Sequence, residues 1–147
     1  MKTIVFVCHG NICRSVAAEY IAKKYLLDHG LEKKFKVFSR ATSLEEIGND
    51  IYPPMKRELA RRGIPFSHHF AEKITQRDYE ISNYVFYMDN HNKDYLDFLL
   101  VDFKHIIKPI TLYETYDEIE DPWYTSRYEK VCDQLEKCIT HIFEHLV

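Results

Sequence analysis

Thr3-Ile4-Val5-Phe6-Val7-Cys8-His9-Gly10-Asn11-Ile12-Cys13-Arg14-Ser15 is the stretch from which the fold can be read. Thr3 to Cys8 is β-branched and aromatic without polar alternation, as in a strand buried on both faces of a parallel sheet. A short polar loop follows. From Ser15 the pattern changes: Ala18, Ile21, Ala22 and Tyr25 lie on one face at helical period, and Gly30 supplies a stop. The stretch therefore reads as strand, tight loop, helix.

The same alternation continues outward. Lys36 to Ser39 reads as a second strand, followed by a loop to Pro53-Pro54 and a helix through Leu59 that ends near Gly63. Tyr84 to Met88 reads as a third strand, about His91 to Leu100 as a helix, and His105 to Ile110 as a fourth strand. A last helix runs from Ser126 to Leu146, with Val131, Leu135, Cys138, Ile142 and Leu146 on one face. Strands separated by helices predict an α/β fold with an open four-stranded parallel sheet flanked by helices in three α/β/α layers. Ligands in such sheets bind beyond the carboxyl ends of the strands, where Cys8 falls.

The 147 residues suit one domain, 1–147. With 46% hydrophobic and 29% charged residues and no low-complexity tract, nothing points to disorder or a linker. A net charge of −3, with Lys and Arg in short mixed clusters, disfavours a nucleic-acid surface. The apolar run Ile4 to Cys8 is too short for a signal peptide or membrane span, so the expected location is cytoplasmic, with no membrane partner. The four cysteines, at 8, 13, 132 and 138, lack zinc-type spacing, and a cytoplasm would keep them reduced.

The loop His9-Gly10-Asn11-Ile12-Cys13-Arg14-Ser15 leads into a helix amino terminus, which carries unpaired N–H groups and about half a positive charge. That makes it a cradle for an oxyanion such as phosphate. Arg14 adds a planar fork that can pair two phosphate oxygens. A thiol at such a terminus beside a cation ionises near neutral pH, which makes Cys8 the candidate nucleophile. Gly10 is expected to supply backbone geometry that other residues resist, and Asn11 to bond its amide across the loop. Cys-x5-Arg alone is common by chance; the buried strand before it, the Gly inside it and the Ser and helix after it make it specific.

Val5 to Ser15 closely resembles the signature of low-molecular-weight protein tyrosine phosphatases. Ser39-Arg40-Ala41-Thr42-Ser43 resembles that family's second-strand motif, Met88-Asp89 with Asn92 its third-strand exit, and Asp121-Pro122-Trp123-Tyr124 its general-acid loop. The resemblance implies the phosphotyrosine protein phosphatase I-like fold, a cysteinyl-phosphate mechanism without cofactor or metal, and a phosphotyrosine-containing protein or other aryl phosphate as substrate. It also implies a monomer or weak self-association. It gives Asp121 the role of general acid and base; read without it, Asp121 is an exposed turn residue before proline. It places Asn11, Ser15, Ser39 and His69 in a network beneath the cradle, with His68 adjacent to the histidine position and Glu72 where an arginine is usual. His9 and Glu45 depart from the family's aliphatic and aromatic pocket residues. Trp123 and Tyr124 either form an aromatic substrate wall or fill the core. Cys13 is either a small filler beneath the loop or a redox partner that captures oxidised Cys8 as a disulfide, as in members with the same spacing.

Three other readings compete. A thioredoxin-coupled arsenate reductase shares the loop but needs two relay cysteines, and Cys132 and Cys138 lie far along the last helix. A phosphotyrosine-binding module without catalysis would usually lack Cys8, Arg14 or Asp121. A metal site from Cys138, His141 and His145 lacks a fourth ligand, and Cys138 faces the apolar stripe.

Overall fold

A computed structural model describes residues 1–147. Its elements are β1 Lys2–Cys8, α1 Arg14–Asp28, β2 Phe35–Ala41, α2 Pro53–Arg61, α3 Gln76–Ile81, β3 Tyr84–Tyr87, α4 Asn90–Leu99, β4 Ile107–Pro109, α5 Pro122–Thr125 and α6 Tyr128–Leu146. The strands form one sheet in the order β2-β1-β3-β4, every pair parallel.

The unbroken apolar run of β1 is explained by burial on both faces. Ile4, Phe6 and Cys8 pack with α1, α2 and α6 in the larger core, whereas Val5 and Val7 pack with Ile74, Tyr79, Leu96 and Leu100 from the α3 and α4 side. Successive side chains alternate between faces, so a strand serving two cores has no place for a polar residue. This gives the expected three layers. In the larger core, Phe143 of α6 stacks on Tyr25 of α1 and meets Phe35 of β2 edge-on, at centroid separations of 5.2 and 5.1 Å.

Two short helices were not foreseen. Thr75 and Asp78 form a reciprocal capping box that starts α3, but the helix is a single short segment without an apolar repeat to reveal it. Asp121 caps α5, four residues with Pro122 in the first turn. The fourth strand is also shorter than its apolar pattern, because His105 takes a left-handed φ of 56° that breaks the extended run.

β1 is central, and the chain leaves it toward β2 on one side and reaches β3 on the other. The order therefore reverses beside β1, which is where ligands bind in open sheets. The ends of β1 and β3 bring Cys8 and Asp89 to the same edge, with α1 starting beside them.

Candidate active site

α1 begins without the usual dressing of a helix start. Its N-cap, Cys13, makes no side-chain capping bond, and its first turn holds no acidic residue. The first-turn N–H groups and the partial positive charge thus remain available at the loop. The Ser15 N–H lies 3.4 Å from Cys8 Sγ, and Ser15 Oγ lies 3.0 Å from the same sulfur.

The loop is held by Asn11 rather than Gly10. Asn11 is fully buried at φ 60°, a left-handed conformation that asparagine tolerates. Its Oδ1 accepts from the Glu72 N–H at 3.2 Å, its Nδ2 donates to Ser15 Oγ at 2.8 Å and Ser39 Oγ at 3.0 Å, and its carbonyl accepts from His69 Nε2 at 2.7 Å. Gly10 is not in a left-handed conformation; the constraint there is space, since a Cβ would stand 3.2 Å from Glu46 Cγ. His69 is buried against the loop, while His68 is exposed and faces Asp50 at 3.3 Å.

Arg14 is 2% exposed. Its Nη1 donates to Asp89 Oδ2 at 2.6 Å and to the Ile119 carbonyl at 2.9 Å, and its Nη2 stands 3.5 Å from Asp121 Oδ2. Burial alone would lower the guanidinium pKa, but the negative charge at Cys8, Asp89 and Asp121 outweighs it and raises it. Asp89 also caps α4, its Oδ1 accepting from the Asn92 N–H at 2.9 Å. Asp89 and the Ile119 carbonyl were not foreseen as partners of Arg14. The Asp89 to Asn92 capping pattern was visible, but nothing in it signals the arginine.

The pocket over the loop is lined by Cys8, His9, Gly10, Ile12, Cys13 and Arg14 below, with Glu45, Glu46, Asp121, Trp123 and Tyr124 around it. Trp123 and Tyr124 are 50% and 83% exposed, so they stand at the mouth and do not fill the core. Trp123 leans on Tyr52, with ring centroids 4.7 Å apart. On another side His9 Nε2 pairs with Glu45 Oε2 at 2.9 Å. Asp121 Oδ1 accepts from the Trp123 N–H at 3.0 Å, which leaves Oδ2 beside Arg14. Cys13 is buried in the same pocket wall; burial, then the negative charge of Cys8, pushes its thiol well up.

The cysteines and histidines of α6 have other partners. Cys138 is buried 3.5 Å from Tyr116 Oη, His141 pairs with Glu114 at 2.6 Å, and His145 bonds the His141 carbonyl and stacks on Tyr113. No three His, Cys, Asp or Glu side chains are grouped to hold a metal ion. Burial pushes the Cys132 thiol up to about 12.

Over residues 3–147 the chain matches the family model described as low molecular weight phosphotyrosine protein phosphatase. It is 37% identical to the human low molecular weight phosphotyrosine protein phosphatase, covering 97% of this chain and 94% of that relative. It is 33% identical to the low molecular weight protein-tyrosine-phosphatase YfkJ of Bacillus subtilis, covering 92% of this chain and 90% of that one. The crystal structure of YfkJ superposes with a TM-score of 0.93 at 29% identity, covering 99% of this chain and 94% of that chain. A protein tyrosine phosphatase from Entamoeba histolytica superposes with a TM-score of 0.92 at 28% identity, over 99% and 97% of the two chains.

The segment that carries His69 depends on a carboxylate. Asp50 Oδ1 accepts from the N–H groups of Ile51 and His69, and Oδ2 binds Lys56. Burial opposes ionisation there, but the bonds from Lys56, His69 and Ile51 prevail and hold the carboxyl at about 2, below its ordinary 3.8. A depressed carboxyl contributes stability that is complete above the unfolded value and lost as pH falls through the folded one. Urea midpoints should therefore drop between about pH 4 and 2. Asp50→Asn should be less stable at neutral pH and show a shallower decline over that range. An unchanged slope would mean that Asp50 does not carry this linkage.

Proposed function

The chain belongs to the low molecular weight phosphotyrosine protein phosphatase family and is a phosphatase; from that premise we propose that it hydrolyses phosphotyrosine and other aryl phosphate monoesters through a cysteinyl-phosphate intermediate. The observation that carries this reading is the convergence of Cys8, Arg14 and Asp121 on one pocket over an uncapped helix start.

In the first step the Cys8 thiolate attacks phosphorus as the bond to the phenolic oxygen breaks, and protonated Asp121 gives its proton to that oxygen. Such a proton is needed, because a phenol with pKa ~10 leaves poorly as an anion. In the second step water attacks phosphorus, the sulfur–phosphorus bond breaks, and the Asp121 carboxylate takes the proton of the water. Cys8 is restored as thiolate and inorganic phosphate is released. Throughout, the N–H groups of the loop His9 to Ser15 surround the phosphate oxygens. Arg14 has both Nη1 hydrogens committed to Asp89 and Ile119, so it offers Nε and Nη2 as the fork. Ser15 Oγ accepts from the Cys8 thiol at 3.0 Å, and once the sulfur is ionised the same hydroxyl can only donate to it, which favours thiolate both as nucleophile and as leaving group.

Trp123 and Tyr124 supply the face against which the phosphotyrosine ring stacks. Glu45, paired with His9, and Glu46 give the rim an acidic edge that disfavours acidic residues flanking the phosphotyrosine. The proposal also covers one catalytic unit spanning 1–147 in the cytoplasm, where thiols stay reduced. No helix is long and apolar enough to cross a membrane.

If Asp121 is the acid, Asp121→Asn should slow aryl phosphates of weakly acidic phenols far more than those of strongly acidic phenols, by roughly 10- to 100-fold more. Equal losses on both classes would move the acid elsewhere. Cys13, a protonated thiol in the wall beside Cys8, is proposed to capture Cys8 sulfenic acid as a disulfide with loss of water. Peroxide inactivation should then be reversed by dithiothreitol in wild type and much less in Cys13→Ser. Full recovery in that variant would leave Cys13 as packing alone.

A further inference from the structure

Cys8 and Arg14 are buried, but the segment that carries Asp121 is not. Between Ile119, whose N–H donates to the Met88 carbonyl, and Val131 on α6, only Pro122 is buried. A segment with so few buried contacts belongs to the least stable part of a fold. Its return is costly as well, because Ser126 turns the chain toward α6 at a left-handed φ of 60°, where a residue with a side chain is uncommon. A general acid nonetheless delivers its proton only from within hydrogen-bond reach of the leaving oxygen, so the loop has to be held.

Arg14 holds one side of it. The Ile119 carbonyl accepts from Arg14 Nη1 at 2.9 Å, and Asp121 Oδ2 stands 3.5 Å from Nη2. That second contact cannot secure the loop during the first step, because Asp121 is then protonated and no longer attracts the guanidinium as a charge. The residue before it is held differently. Glu120, 19% exposed at its side chain, accepts from Lys130 Nζ at 2.7 Å through Oε1 and from Arg127 Nε at 2.9 Å through Oε2. One carboxylate thus joins the start of the loop to two positions beyond its return, with Asp121, Trp123 and Tyr124 on the span between. Isolated surface ion pairs contribute little, but a carboxylate shared by two cations and partly withdrawn from water is a small network. The bonds from Lys130 and Thr125, then the charge of Arg127, hold the Glu120 carboxyl at about 2, so it stays ionised through the mildly acidic range.

We propose that Glu120 is a positioning residue of the phosphatase reaction: with Arg127 and Lys130 it forms a clasp across the base of the Asp121 loop, and the clasp keeps Asp121 and the Trp123 wall over Cys8. The inference rests on the acid role proposed above for Asp121. A purely structural role would change stability alone. The clasp governs two properties of the loop itself: the dependence of rate on the leaving group, and the accessibility of Trp123, the single tryptophan of the chain. Because Arg127 and Lys130 are 61% and 50% exposed, the clasp also weakens with salt.

Glu120→Gln should slow aryl phosphates of weakly acidic phenols roughly three- to tenfold and leave those of strongly acidic phenols within about twofold. Acrylamide, a neutral quencher insensitive to local charge, should quench Trp123 fluorescence more strongly in this variant. Raising sodium chloride from about 0.05 to 1 M should increase quenching in wild type toward the level of the variant, whose own quenching should stay flat. Arg127→Gln/Lys130→Gln should reproduce both changes, and adding Glu120→Gln to it should do little more. If thermal melts show that Glu120→Gln does not fold, the salt series on wild type and the variant lacking the two exposed cations still decide. Quenching that ignores both salt and the loss of the two cations, or equal losses on all leaving groups, would overturn the inference. Asp121→Asn tests the acid role separately; were that role to fail, the quenching series would still decide whether Glu120 holds the loop.

Discussion

A guanidinium cannot be buried alone, and the burial of Arg14 organises the carboxyl end of the sheet. Its charge is met by Asp89 from the end of β3, by the Ile119 carbonyl and by Asp121 from the segment before α6. Those partners are 75, 105 and 107 residues away in sequence. Arg14 thus ties the first strand–loop–helix unit to two later segments, and the ties bring Asp121 over Cys8. Because breaking a buried ion pair leaves an uncompensated charge, these contacts constrain one another strongly. The same pairing presents the free edge of the guanidinium to the pocket and fixes its orientation before any ligand arrives.

Beneath Arg14 the loop is held by a second and different set of forces. The left-handed turn at Asn11 is stabilised by bonds from every polar group of that side chain and from its carbonyl. Cys8 and Cys13 share this environment but differ chemically. Cys8 touches the Ser15 hydroxyl and N–H, whereas Cys13 is pushed toward the neutral thiol by burial and by the charge of Cys8. One loop therefore holds two sulfurs in different surroundings, and burial keeps Cys13 as the neutral thiol. At the rim, the His9–Glu45 pair faces the exposed aromatic residues Trp123 and Tyr124, so the walls of one pocket differ in polarity.

Much of this was legible in the sequence because it is local. β1, the loop and α1 form one contiguous stretch whose periodicity changes at Cys8 and again at Ser15. Asp89 reads as a helix cap, and its hold on Arg14 exists only because β3 lies beside β1. Gly10 drew attention as a flexible residue, yet the unusual backbone falls on Asn11, and at position 10 the constraint is the closeness of the Glu46 side chain. α3 and α5 are too short for periodicity to reveal.

The central claim is that phosphate passes through the sulfur of Cys8. Rapid mixing with a fast aryl phosphate, acid quenching within milliseconds and peptide mapping by mass spectrometry tests it most directly. The account predicts a phosphate on the peptide containing Cys8, formed at the rate of phenol release and absent from Cys8→Ser. Burst release of phenol with no phosphate on that peptide, or with phosphate on another side chain, would contradict it.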